Sequence, residues 1–181
     1  MRYNQIDTVE INSFEGLSNL EILDLSENRL SEITGKILSD LPKLMELLLD
    51  GNQIATLDED AFEGLLNLQK LSLTRNNIVI LTMDMFVTTP TLQYLYIEKN
   101  PLNCTCALEQ LMIFMKTSGM LAYNSRNDLL CSSPRHVRKV YIIDVPFDNL
   151  ECDTVYGKYY TCNFSIHTFP SYRNRQYDKI I

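Results

Sequence analysis

The chain has 181 residues, of which 45% are apolar and 22% charged, an ordinary composition for a globular domain. Its net charge of −7 argues against nucleic acid as the main partner, because binding to a phosphate backbone needs a dense basic surface. The sequence holds no run of about 18 apolar residues, so it predicts no membrane span. Residues Met1 to Asp7 lack the apolar segment of a signal peptide.

An asparagine recurs every 24 residues through the first 100 positions. Apolar residues precede the last four asparagines by eight, five and three positions; an apolar residue follows all five by two positions and the first four by five and ten positions. The asparagines are Asn4, Asn28, Asn52, Asn76 and Asn100. This pattern, L-x-x-L-x-L-x-x-N-x-L, resembles that of the extracellular leucine-rich repeats of 24 residues.

The repeat has a direct physical interpretation. Leu23 and Leu25 are two residues apart, so they point to one side of a short strand. The asparagine amide has both a donor and an acceptor, so stacked turns can hydrogen-bond through it. A column of bulky side chains fills the far side: Phe14, Leu38, Phe62 and Phe86. We therefore expect an α/β leucine-rich-repeat solenoid, curved, with short parallel strands on its concave face.

Residues 1–100 hold about four full repeats and a truncated first one, because Met1 falls within the first expected strand. We therefore expect the chain to be a fragment of a longer secreted or membrane-anchored receptor; the alternative is a genuine start at Met1. Thr89 occupies an otherwise apolar column and Pro90 follows it. This departure predicts a loosened convex side just before the end of the repeats.

The pattern changes after Asn100, and residues 101–152 resemble the cysteine-rich C-terminal flanking domain of this family. The family continues Cys-x-Cys with an amphipathic helix, a Cys near Ser-Pro and a final Cys, and apolar residues recur here at helical spacing. They are Leu108, Leu111, Phe114 and Met115. Leu102 and Phe114 stand where the family usually has tryptophans. The resemblance implies a cap that covers the open end of the solenoid.

All five cysteines follow residue 103: Cys104, Cys106, Cys131, Cys152 and Cys162. The first four allow three disulfide pairings that the residues alone leave open, and a zinc site is an alternative. The resemblance implies the pairs Cys104–Cys131 and Cys106–Cys152. Disulfides would place the domain outside the cell. Two glycosylation sequons agree with this location, at Asn103 and Asn163.

Residues 153–181 leave the pattern and form a tail of unknown structure, rich in tyrosine and basic residues. Cys162 is left over once the other four cysteines are paired. It predicts either a disulfide-linked dimer or a thiol whose partner lies outside this sequence.

The outward-facing strand positions are the candidate ligand-binding residues, because such repeats bind partners on the concave surface. They are Ile22, Asp24, Glu46, Leu48, Asp50, Lys70, Ser72, Tyr94, Tyr96 and Glu98. Carboxylates outnumber Lys70, so we expect an acidic face that prefers a basic patch on a protein ligand. Tyr94 and Tyr96 are candidate hot spots. The alternative is that both tyrosines only pack against the cap or a neighbouring strand.

Neither histidine, His136 or His167, lies in a recognisable catalytic or metal motif, and no glycine-rich phosphate loop exists. The sequence therefore predicts no enzyme and no cofactor. It predicts macromolecular, mainly protein, recognition of the adhesion, guidance or matrix type. The alternatives are an innate-immune pattern receptor, Toll-like or lymphocyte-receptor-like, and a purely structural matrix component.

Overall fold

The computed structural model describes residues 1–118 and 129–145. Four three-residue strands form one parallel sheet: β1 (Ile22–Asp24), β3 (Glu46–Leu48), β5 (Lys70–Ser72) and β6 (Tyr94–Tyr96). Two shorter strands, β2 (Glu32–Ile33) and β4 (Thr56–Leu57), pair in a second parallel sheet. Among the described residues, helix α1 (Cys106–Thr117) follows the repeats, and 3-10 turns span Met83–Phe86, Arg135–Val137 and Ile142–Asp144.

The register of the large sheet follows the 24-residue period. Leu23 pairs with Leu47, Leu47 with Leu71, and Leu71 with Leu95, so each column of the sequence is a row across the sheet. All four leucines are buried in a continuous core, whereas the alternate residues of each strand point away from it. The predicted leucine-rich-repeat solenoid is confirmed.

The asparagines form a ladder inside the coil, as the sequence predicted. Asn76 is typical: its Nδ2 donates to the carbonyl oxygens of Leu49 and Leu73, each at 2.9 Å. Its Oδ1 accepts from the backbone amide of Ile54 at 3.0 Å. Asn52 and Asn100 repeat this arrangement with their own neighbours. Each asparagine thereby satisfies backbone groups that the turn would otherwise leave buried without a partner.

The side of the coil away from the large sheet keeps at Thr89 the backbone hydrogen bond of the earlier repeats, and the predicted loosening there stays a prediction. Thr89 is buried, and its hydroxyl donates to the carbonyl oxygen of Phe86 at 2.9 Å. The same backbone bond that joins Leu41 to Leu38 at 3.1 Å joins Thr89 to Phe86 at 3.1 Å. The hydroxyl is satisfied within the turn, so a threonine can stand in the apolar column.

Helix α1 and residues 129–145 pack on the C-terminal end of the repeats. The helix buries Leu108, Leu111, Met112 and Met115, and it contacts the 3-10 turn of Met83–Phe86. In the second segment, the side chains of Leu129, Val137, Ile142 and Val145 are buried. The end of the solenoid core is therefore covered within the described residues. The boundaries 1–100, 101–152 and 153–181 stay predictions.

Candidate ligand-binding groove

The outer face of the large sheet forms an open groove of about 550 Å³. Its lining comes mainly from the last residue of each strand and from the turns that follow the strands. Twelve residues line this groove: Arg2, Asp24, Ser26, Leu48, Asp50, Lys70, Ser72, Thr74, Arg75, Tyr96, Glu98 and Lys99. Seven of the ten predicted ligand-binding residues are therefore brought together; Ile22, Glu46 and Tyr94 lie on the same sheet but outside the groove lining.

The predicted hot spots lie on the last strand of the sheet. Tyr94 and Tyr96 are half-buried, on either side of the buried Leu95. Tyr96 pairs in register with Ser72, and Tyr94 with Lys70. At the other edge of the sheet, the side chain of Ile22 is 55% exposed. Apolar and aromatic surface is thus available at both ends of the face, with polar residues between.

Two predicted ligand-binding residues are buried by their neighbours. Glu98 is 7% exposed and its Oε2 accepts from the hydroxyl of Thr74 at 3.1 Å. Ser72 is 6% exposed and its hydroxyl donates to Asp50. These residues form the floor of the groove, because short side chains in adjacent turns reach each other across the strand separation.

The carboxyl of Asp24, which also lines the groove, has a shifted pKa. Partial burial tends to raise the pKa of its carboxyl, but hydrogen bonds from Ser26 and the nearby charge of Arg2 outweigh that effect. The pKa consequently lies below its ordinary value of 3.8. Asp24 therefore remains an anion throughout the neutral pH range and accepts a bond from the backbone amide of Ser26 at 2.9 Å.

An ion pair across the middle of the sheet neutralises two of the predicted charges. The Nζ of Lys70 lies 3.1 Å from Oε2 of Glu46, and both side chains are about a third exposed. The residues are register partners on β3 and β5, so the pair follows from the 24-residue period. It contributes less than about 1 kcal/mol, because solvent screens it.

The residue before each ladder asparagine has a left-handed backbone. The φ angles are 57° at Tyr3, 55° at Glu27, 64° at Gly51, 57° at Arg75 and 57° at Lys99. This conformation turns the chain out of the strand at the rim of the groove. We call the column formed by these five residues the rim column.

An ion pair in the rim column passes over one whole repeat. Arg75 Nη2 donates to Oε1 of Glu27, although the two residues are 48 positions apart. Gly51 lies between them. A Cβ atom on Gly51 would lie 2.7 Å from the Glu27 carboxylate, far inside contact distance. The pair can form because the middle repeat has no side chain at this position.

The charge of the groove differs from the prediction. Four lining residues are basic and three are acidic, because Arg2, Arg75 and Lys99 join the face from the turns beyond the strands. Sequence reasoning counted only the alternate strand residues and missed these three. These three residues could have been found from the sequence, because the positions one and two before each asparagine recur with the same 24-residue period. The excess of carboxylates from which a basic partner was predicted is absent from the groove.

The disulfide Cys104–Cys131 is present, with a Cα–Cα distance of 5.7 Å. It uses two of the thiols that a four-cysteine zinc site would need. Within residues 1–118 and 129–145, no cluster of three or more His, Cys, Asp or Glu is placed to hold a metal. Cys152 lies outside the described residues, as do Cys162 and the sequon at Asn163, so the pair Cys106–Cys152 stays a prediction.

The second sequon lies beside the disulfide. Asn103 is half-buried, and its Oδ1 accepts from the hydroxyl of Ser133 at 2.8 Å. Its backbone amide donates to the carbonyl oxygen of Val79 at 2.8 Å. Glycosylation of Asn103 therefore stays a prediction, at a position that already joins the last repeat to the segment that follows.

The family model described as Leucine rich repeat matches residues 1–54 and 42–102. The chain belongs to the leucine-rich-repeat family. Osteomodulin of Rattus norvegicus is 50% identical over 52 residues, which are 28% of this chain and 12% of that protein. Epiphycan of Gallus gallus is 43% identical over 51 residues, which are 28% of this chain and 16% of that protein. The matched segments thus span less than a fifth of either relative.

A solved structure shares the fold. A chain of the TLR13–ssRNA13 complex is similar with a TM-score of 0.55 and 28% sequence identity, over 58% of this chain and 15% of that one. In the described parts of this leucine-rich-repeat chain, no helix has the length and apolar character needed to cross a bilayer.

Proposed function

We propose that the chain is a protein-recognition module of the adhesion, guidance or matrix type, and that its ligand docks in the groove on the strand face. The observation that carries the proposal is the meeting of aromatic, apolar and charged side chains on one preformed concave surface. Tyr96, Leu48 and Arg75 line the same groove. Tyrosine and arginine are enriched among the residues that dominate binding energy at protein interfaces.

The likeness to osteomodulin and epiphycan, each matched over about two repeats, favours the matrix type. The structural likeness to a chain of the TLR13–ssRNA13 complex keeps the innate-immune receptor as the second candidate. The disulfide Cys104–Cys131 supports an extracellular location for either one, because such bonds persist in oxidising compartments. No catalytic role is proposed for the module.

The tyrosines provide the test. Affinity capture with the full chain supplies candidate ligands, and the dissociation constant of each purified candidate is then measured for the parent, Tyr94→Ala and Tyr96→Ala. We expect Tyr96→Ala to weaken binding by about tenfold or more, because loss of a hot-spot residue costs about 2 kcal/mol. We expect a smaller effect of Tyr94→Ala, because Tyr94 lies beside the groove lining.

Tyr141→Ala is the matched control, since Tyr141 is 38% exposed and lies in the segment beyond the repeats. This variant should bind like the parent. If Tyr94→Ala and Tyr96→Ala fold normally and bind every captured candidate as tightly as the parent does, the groove is not the ligand site.

A further inference from the structure

Basic side chains collect on one rim of the groove although the whole chain has a net charge of −7. Arg75 and Lys99 occupy the rim column in neighbouring repeats, and both line the groove. Their strands pair in register, so the two backbone positions are about one strand separation apart, roughly 4.8 Å. The two side chains therefore start from neighbouring backbone positions on the same rim of the groove.

The side chain of Arg75 is accessible at this rim and already pairs with a carboxylate of the chain. Its side chain is 49% exposed, and within the described residues its guanidinium bonds through Nη2 to Glu27. A guanidinium carries five N–H donors, so it can donate to a second acceptor beside Glu27. The Glu27 carboxylate fills the space beside Gly51, which shows that an acidic group can reach this guanidinium.

We propose that Arg75, with Lys99 beside it, binds a side-chain carboxylate of the protein ligand and so selects ligands with an acidic residue at that point. This inference rests on the proposed function of the groove. A guanidinium recognises a carboxylate through two parallel hydrogen bonds, which gives geometric specificity. A dense polyanion such as nucleic acid is disfavoured, because Asp24 and Asp50 line the same groove and the chain is acidic overall.

The test is an NMR titration of the isotope-labelled full chain with hexaglutamate and with hexalysine, both capped at their ends. We expect hexaglutamate to shift the Nε–H resonance of Arg75 and the backbone amide of Lys99, and hexalysine to leave both in place. Arg75→Gln should weaken hexaglutamate binding by about fivefold, the effect of losing one exposed charge pair. Arg29→Gln is the matched control, since Arg29 is exposed and does not line the groove.

Two results would overturn the inference. One is hexaglutamate binding that is equal in Arg75→Gln and in the parent; the other is a short single-stranded RNA of equal charge that binds more tightly than hexaglutamate at Arg75. A failure of this inference can be distinguished from a failure of the groove as the ligand site. A captured ligand that is weakened by Tyr96→Ala but unaffected by Arg75→Gln would leave the groove standing and remove the carboxylate site.

Discussion

The absence of a side chain at Gly51 leaves room for the ion pair between Glu27 and Arg75. Gly51 occupies the rim column at φ 64°, and a Cβ there would overlap the Glu27 carboxylate. We expect Gly51→Ala to lower the free energy of unfolding by about 1–2 kcal/mol, from the left-handed backbone and the displaced ion pair together. Urea denaturation would measure the change.

Gly35 offers a matched control for this substitution. Its φ is 55°, and an added Cβ would find no heavy atom within 4 Å. Gly35→Ala should therefore show the backbone effect alone, and Gly51→Ala should cost more. Equal costs for both variants would mean that the Glu27 carboxylate moves aside without loss.

The ladder asparagines give a second prediction at this scale. Asn76→Ala removes three hydrogen bonds to the buried backbone, and we expect it to cost about 2–4 kcal/mol of unfolding free energy. Asn77→Ala is the control, because Asn77 is exposed and its amide has a single long contact of 3.4 Å with Gln53. Thermal unfolding would compare the two, and a similar loss for both would contradict the ladder's role.

The sequence predicted the ladder and the core residues because the period fixes which side chains face inward. It did not predict the pair Glu27–Arg75, because those residues belong to repeats that are not neighbours. Their meeting depends on the left-handed backbone at the rim and on the missing side chain at Gly51. A comparison of the whole column that precedes the asparagines would have pointed to it.

At the scale of elements, the disulfide Cys104–Cys131 joins the end of the repeats to the returning segment over a sequence separation of 27. We expect the double variant Cys104→Ser with Cys131→Ser to lose about 2–4 kcal/mol of unfolding free energy, because the unfolded chain is no longer constrained. Hydrogen exchange should rise in α1 and in residues 129–145 while the first repeats stay protected. Exchange that rises equally in β1 would contradict this localised effect.

The strands of the large sheet and helix α1 were predictable from their periods of two and 3.6 residues. The second sheet was not predicted, because its strands are two residues long and too short to show alternation. Its buried members, Ile33 and Leu57, were visible only as one more apolar column. The sequence did not separately predict the 3-10 turn of Met83–Phe86, which lies where the preceding repeats have turns of another kind.

At the scale of the whole molecule, the charge of the groove depends on where the charged residues lie and not on the net charge of the chain. The net charge of −7 correctly describes the chain, but it gives no information on the groove, where basic residues slightly outnumber acidic ones. The fold class followed from the repeat alone. The charge of the site depended on which turns lie beside the sheet, and composition carries no such information.

The ladder also determines how such a chain can change its length. Each asparagine serves only the turn before it and its own turn, so removing or adding 24 residues would restore every ladder bond with a new neighbour. A change of any other size would put an apolar column out of line. The pair Glu27–Arg75 is the exception, since its two residues must stay two turns apart with a glycine between them. Gain or loss of a repeat between them would break this ion pair while the core stays intact.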